Sequence, residues 1–162
     1  MKPLTIFKVQ TRLSALALHN GGLTVGEALD RAGAALEGLR LPCQETIDVA
    51  LAEIEARFGA AAAARDQAPF ADLDRLASRI VDASIFLREV DLDRAARALC
   101  RLTRLCEQRG AWDWVAVELH IDALRLLRTL GPAISAQARE EVLTGLAHVT
   151  RKLVGDPETL PP

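Results

Sequence analysis

His120 is the one imidazole of this chain that sits in a strongly patterned helical stretch, W-V-A-V-E-L-H-I-D-A-L-R-L-L. An imidazole can accept a phosphoryl group or act as a general base, provided that its ring meets solvent and a carboxylate orients it. At helical spacing His120 lies within about 60° of Val117, Leu124 and Leu127, on the apolar stripe rather than opposite it. Glu118 and Asp122 are each two residues away and so point elsewhere. The pattern describes a half-buried histidine hydrogen-bonded to a neighbour, with a phosphoacceptor or general base as the alternative. His19 and His148 have no carboxylate or cysteine at ligand spacing, which leaves zinc without support. Cys43, Cys100 and Cys106 are odd in number and too widely spaced for a thiolate pair. Cys100 and Cys106 fall beside or within an apolar helix face, as buried, reduced thiols do, and a reducing cytoplasm suits them best.

Arg94, Arg97, Arg101 and Arg104 recur at i, i+3, i+7 and i+10 and form one basic stripe. It reads as a solvated face partly neutralised by Asp91, Asp93 and Glu107, or as a docking strip for an acidic partner that acts on association rate more than on affinity. The sequence has no Gly-rich phosphate loop, no G-x-S-x-G, no H-E-x-x-H and no acidic calcium loop. Each of those is specific enough that its absence counts against the corresponding enzyme class. The expectation is a protein that is not an enzyme and needs no cofactor or metal.

The elements that position these groups are helices. From Phe70 to Arg109 the chain reads as two amphipathic helices joined by an acidic turn at Glu89, Val90 and Asp91. Leu73, Leu76, Ala77, Ile80, Ser84 and Leu87 form the buried stripe of the first, and Leu92, Ala95, Ala96, Leu99, Leu102 and Cys106 that of the second. Asp91 is expected to cap the second helix and Gly110 to end it in the left-handed conformation. The pair is a helical hairpin with facing apolar stripes, half of a bundle.

This hairpin resembles the histidine-containing phosphotransfer (Hpt) domain, whose second helix carries A-H-x-L-K-G-S/A and whose third opens with L-x-x-x-A/C-x-x-L. Laid on this chain, the pattern falls on Ala77 to Ala83, followed by Leu92, Ala96 and Leu99. The framework matches and the chemistry does not. Ser78 stands where the resemblance would have the phosphoacceptor histidine, Val81 where it would have the lysine, and Asp82 where it would have the glycine. Serine has no nitrogen to take a phosphoryl group reversibly, and Asp82 sets a negative charge one turn from any incoming phosphate. At about 100° per residue, Ser78 and Asp82 are expected to lie roughly 140 to 180° from the centre of the buried stripe, facing outward. Ile85 and Phe86 fall on the same outward side, with Val81 on its flank. Across nearly the whole chain, F-K-V-Q-T-R-L, G-G-L-T-V-G-E-A-L and the stretch around His120 are similar to the small all-helical bacterial chemotaxis proteins of the CheE type.

Towards the N-terminus, Thr24-Val25-Gly26-Glu27 is a capping box that opens a helix running to about Leu39. Pro42 biases Leu41 away from helical angles and belongs to the first turn of the next helix, whose core stripe is Ile47, Leu51, Ile54 and Phe58. Gly59 and the alanines 60–64 could prolong that helix at low cost, until Arg65-Asp66-Gln67-Ala68-Pro69 breaks it. Asp113 caps a helix that ends at Leu130, before Gly131-Pro132. Ser135 caps the last, with Val142, Leu146 and Val149 inward, ending at Gly155. Trp112 and Trp114 are expected to wedge a bundle end shut. No stretch alternates with period two over a convincing length.

At 162 residues, 50% hydrophobic and 26% charged, the chain suits one globular domain. A net charge of -2 gives no field that draws in nucleic acid or an anionic membrane, and 4% aromatics without any Tyr remove the platforms on which bases stack. The apolar run Leu13 to Leu18 is too short for a membrane span. The reading is an all-α antiparallel helical bundle, a four-helix Hpt-like core with an additional helix or helices. It occupies residues 23–155, with a flexible arm at 1–22, carrying a short strand or turn at Leu4 to Val9, and a disordered tail at 156–162. The resemblance implies a non-catalytic cytoplasmic adaptor in chemotaxis or two-component signalling. It would bind a receiver domain or histidine kinase through Ser78, Arg79, Val81, Asp82 and Ile85 with the arginine stripe. The alternatives are phosphotransfer by His120 and a structural bundle whose apolar outer residues meet a second copy of the chain.

Overall fold

The computed structural model describes residues 24–154, so the expected arm, its strand or turn, Gly155 and the tail lie outside the described residues. The described chain is all-α, with six α-helices and no strand. It divides into two compact units, Met1–Leu39 and Arg40–Pro162.

Within the first unit, α1 spans Val25–Gly38 and opens with the expected capping box. The Glu27 amide donates 3.2 Å to Thr24 Oγ1, while the Thr24 amide donates 2.8 Å to Glu27 Oε2. Two of the four amide groups left over at a helix start are thereby satisfied reciprocally.

The second unit contains α2 (Arg40–Phe58), α3 (Phe70–Leu87), α4 (Val90–Arg109), α5 (Trp114–Leu130) and α6 (Ala136–Val154), with short 3-10 turns at Arg65–Gln67 and Gly131–Ala133. Helices α2, α3, α4 and α5 pack each against the next, and α5 returns to α2, which closes a four-helix ring. Helix α6 lies against α4 and α5. Ion pairs fix the directions. Arg57 at the end of α2 meets Asp72 at the start of α3, Arg104 late in α4 meets Asp74 early in α3, and Arg128 late in α5 meets Asp48 early in α2. These neighbours are antiparallel. Arg94 and Glu140 join the early turns of α4 and α6, which run parallel.

The core is one contiguous cluster drawn from all five helices, and the expected stripes of α2, α3 and α4 enter it, with Leu87 packed at its edge. Because α4 is bordered by α3, α5 and α6, its buried arc widens to include Ala98, Cys100 and Thr103 as well. In α6 the fully buried residues are Leu143 and Leu146, while Val142 and Val149 are half-buried.

Three local expectations are corrected. Helix α2 stops at Phe58, and the alanines 60–64 turn rather than continue it. Phe58 is fully buried with its ring centroid 5.9 Å from that of Trp112, so the chain must leave the helix there whatever the propensity of alanine. The α3–α4 turn is made by Arg88 in the left-handed region (φ 60°), with the Glu89 amide donating 2.9 Å to Ser84 O. Asp91 is thus already inside α4, where its carboxylate forms an ion pair with Arg139, 2.7 Å from Nε, instead of capping. Leu41, expected to be biased out of the helix by Pro42, is helical within the first turn of α2.

Other end signals hold. Asp113 accepts 3.0 Å from the Ala116 amide, Ser135 accepts 3.1 Å from the Ala138 amide, and Gly110 (φ 65°) ends α4. Trp112 packs between Phe70 and Trp114, with centroids at 4.3 and 4.8 Å, and closes the bundle end as a wedge.

Candidate functional site

The polar groups on α3 line its seam with α4 rather than its outer pole. Asp74, Ser78 and Asp82 are spaced by one helical turn each, and opposite them on the antiparallel α4 stand Arg104, Cys100 and Arg97. Asp74 Oδ1 is 3.5 Å from Arg104 Nε, and Ser78 Oγ is 3.8 Å from Cys100 Sγ. Asp82 lies close enough to Arg97 to favour its charged form, although Asp93, bonded to Arg97 Nε at 2.9 Å, is the main cause. The Ser78 hydroxyl is therefore half-buried against a thiol, which corrects its expected outward position. Burial raises the Cys100 thiol above its usual range, and the Ser78 contact opposes that only in part, so the sulfur stays protonated and unreactive at neutral pH.

Of the expected docking residues, Val81 is withdrawn altogether. It is only 8% exposed and belongs to the core, because α3 is flanked by both α2 and α4 and buries a wider arc than one stripe. Arg79 is 3.7 Å from Glu53 on α2. Asp82 and Ile85 remain open, Ile85 at 55% exposure.

The arginine stripe is largely neutralised inside the fold. Arg94 forms a two-bond fork with Glu140 at 2.6 and 2.9 Å, Arg97 pairs with Asp93, and Arg104 with Asp74. Asp91, expected among the neutralising groups, is taken by Arg139. Arg101 is exposed. Each such surface pair contributes at most about 1 kcal/mol, but the pairing removes the net field that a docking strip requires.

His120 is fully buried rather than half-buried. Its Nδ1 is 2.7 Å from Ala116 O, which fixes Nδ1 as the protonated nitrogen, and Nε2 faces Thr150 Oγ1 at 3.4 Å. Burial lowers its proton affinity, Arg101 adds to that, and the bond to Ala116 opposes it. Glu118 is engaged by Arg65, and Asp122 is solvent-exposed beside Arg125 at 3.9 Å. The exposed, carboxylate-oriented ring that a phosphoacceptor or base at this position needs is absent, which corrects that alternative.

Further features lie outside the expected site. Val115, Leu119, Leu126 and Leu130 form an exposed apolar line along α5, at 81, 45, 37 and 46%. The signal was present, since α5 carries more apolar residues than one stripe can bury. His148 is exposed on α6, with Arg151 and Lys152 one turn further on. A cleft of about 410 Å³ at the opposite bundle end from the tryptophans is lined by Arg88, Glu89, Asp91, Arg128 and Arg139. Its cations largely hold carboxylates already: Arg128 grips Asp48 and lies 3.5 Å from Glu89, and Arg139 holds Asp91.

Among the described residues no group of three histidine, cysteine or acidic side chains could hold a metal ion, and no helix is long and apolar enough to cross a membrane. Comparison with protein families, with curated proteins and with solved structures found no match. The likeness to phosphotransfer domains therefore stands on the residues quoted for it.

Proposed function

We propose that this protein is a non-catalytic helical adaptor of bacterial chemotaxis or two-component signalling, working in the cytoplasm. It binds a receiver domain or a histidine kinase without carrying phosphate. The observation that supports this reading is the α3 surface around Ser78. A serine tucked against the Cys100 thiol stands there, bordered by the exposed Asp82 and Ile85, on an antiparallel four-helix ring. Such a face can be recognised and cannot pass a phosphoryl group. Its working residues are Ile85 and Asp82, with Arg97 and Arg101 alongside on α4.

The test incubates the full chain with a phosphorylated receiver domain and with a histidine kinase, following both binding and label. Micromolar binding without label on the chain is the expected result. Acid-labile label that disappears in a His148→Gln variant would assign phosphotransfer to that exposed ring and end the non-catalytic reading. Absence of binding to receivers and kinases alike would end the adaptor reading.

A further inference from the structure

The four exposed apolar residues of α5 are spaced four, seven and four residues apart, so the line reads the same in both directions. Its midpoint falls between Asp122 and Ala123. An antiparallel copy of the same helix, turned about that midpoint, sets Val115 against Leu130 and Leu119 against Leu126, twice over. This is the self-matching that a two-fold interface demands, residue i meeting j while j meets i. An unrelated partner helix imposes no such symmetry.

We propose that this face binds a second copy of the chain, giving a two-fold dimer in which α5 packs antiparallel against α5. The inference is independent of the adaptor reading, which concerns α3 and α4. The floor of the groove beside the line is apolar, made by Ala123 of α5 with Val142, Gly145 and Leu146 of α6. At Gly145 nothing lies within 4 Å of where a side chain would begin, which leaves room for a neighbouring helix to come close.

Charge also favours this pairing. Asp122 is 72% exposed at the middle of the line, and Arg125, 52% exposed one turn on, lies 3.9 Å from it and 2.9 Å from Glu55 of α2 within the chain, so the cation can turn to either acid. In the antiparallel arrangement each Asp122 comes within one turn of the other copy's Arg125, so the two central acids are compensated across the interface. A 17-residue helix is about 25 Å long, and two helices side by side give a footprint of roughly 500 Å². That is small beside the ~800 Å² per partner of a standard interface, which puts the dimer in the weak, reversible class.

The test is the mass of the full chain by sedimentation from about 1 to 200 µM. A reversible rise from 17.5 kDa towards twice that value is expected. Leu119→Glu, at an exposed position, should weaken association at least ~100-fold with helicity unchanged, while Ile85→Glu on α3 leaves it intact. Asp122→Arg and Arg125→Asp should each weaken the dimer, and the two together should restore it. A monomer throughout the range, or a dimer indifferent to Leu119→Glu, would overturn the proposal. Failure of the double swap to restore association, with each single variant folded, would overturn the antiparallel register.

Discussion

His120 and Thr150 face each other between α5 and α6, the imidazole Nε2 3.4 Å from the threonine hydroxyl while Nδ1 donates to Ala116 O at 2.7 Å. The hydroxyl also has Leu146 O within 3.0 Å, so its one proton can serve the carbonyl or the ring but not both. With that proton on Leu146 O, the Thr150 oxygen can still accept from a protonated Nε2, so it is burial rather than the lack of an acceptor that disfavours the charged ring.

The consequence is a dependence of stability on pH. Burial is the main cause that lowers the folded-state pKa of His120 below the ordinary 6.5. The unfolded chain therefore binds more protons than the folded one below that value. Stability is complete above about pH 6.5 and declines as pH falls, with a limiting slope of ~1.4 kcal/mol per pH unit. The groups whose pKa is depressed by ion pairs, Asp48 beside Arg128 and Glu140 beside Arg94, act lower, because their usual values are 3.8 and 4.5. Urea midpoints measured between about pH 7 and 5 should fall in the parent chain, and this slope should flatten in His120→Leu whatever that change does at neutral pH. Equal slopes in the two proteins would show that the ring does not titrate differentially.

Gly59 is required for a steric reason. A Cβ built on its backbone would lie 2.5 Å from Glu55 O, a carbonyl held in α2 and unable to retreat. Gly59→Ala should cost about 1 to 3 kcal/mol, the range of overpacked sites, despite the better helix propensity of alanine. Thermal unfolding checks this directly; a neutral or raised melting temperature would mean that the chain relaxes around the methyl group.

Ser84 has the reverse character. It is fully buried in α3, and its hydroxyl has no hydrogen-bond partner among the described residues. Removing an unsatisfied buried hydroxyl is neutral or favourable, by up to about 1 kcal/mol. Ser84→Ala should leave the melting temperature unchanged or raise it by roughly 2 to 4 °C for a chain of this size. A clear drop would reveal a bond that the hydroxyl makes in solution.

The hairpin stripes, the capping box at Thr24 and the stops at Gly110 and Gly131 were legible because they are local. Each is set by residues within a turn or two of one another. What failed was set by neighbours distant in sequence. Val81 looked like a flank residue on a one-sided wheel, and became core because α2 and α4 embrace α3 from both sides. Asp91 looked like a cap, and was claimed by Arg139 on α6. The arginines of α4 looked like a free strip, yet Glu140 and Asp74 reach two of them from other helices. For the same reason the outward angle of Ser78 was misjudged, since a seam between two helices begins well before the pole of either.

These corrections change which variants probe the α3 surface. Val81→Glu is uninformative, because a charge in the core disrupts the fold itself. Ile85 and Asp82 are the suitable positions, being open to solvent. With a receiver domain or kinase that binds the parent chain, Ile85→Glu should weaken the complex by about tenfold or more, as expected for loss of a central apolar contact. Circular dichroism should be unchanged, which separates a lost contact from a lost fold. Since Arg94, Arg97 and Arg104 each hold a carboxylate, binding should also vary little with salt. A change under about tenfold between 50 and 500 mM salt fits a neutralised strip, while a steeper dependence would show that the arginines leave their partners to meet the ligand.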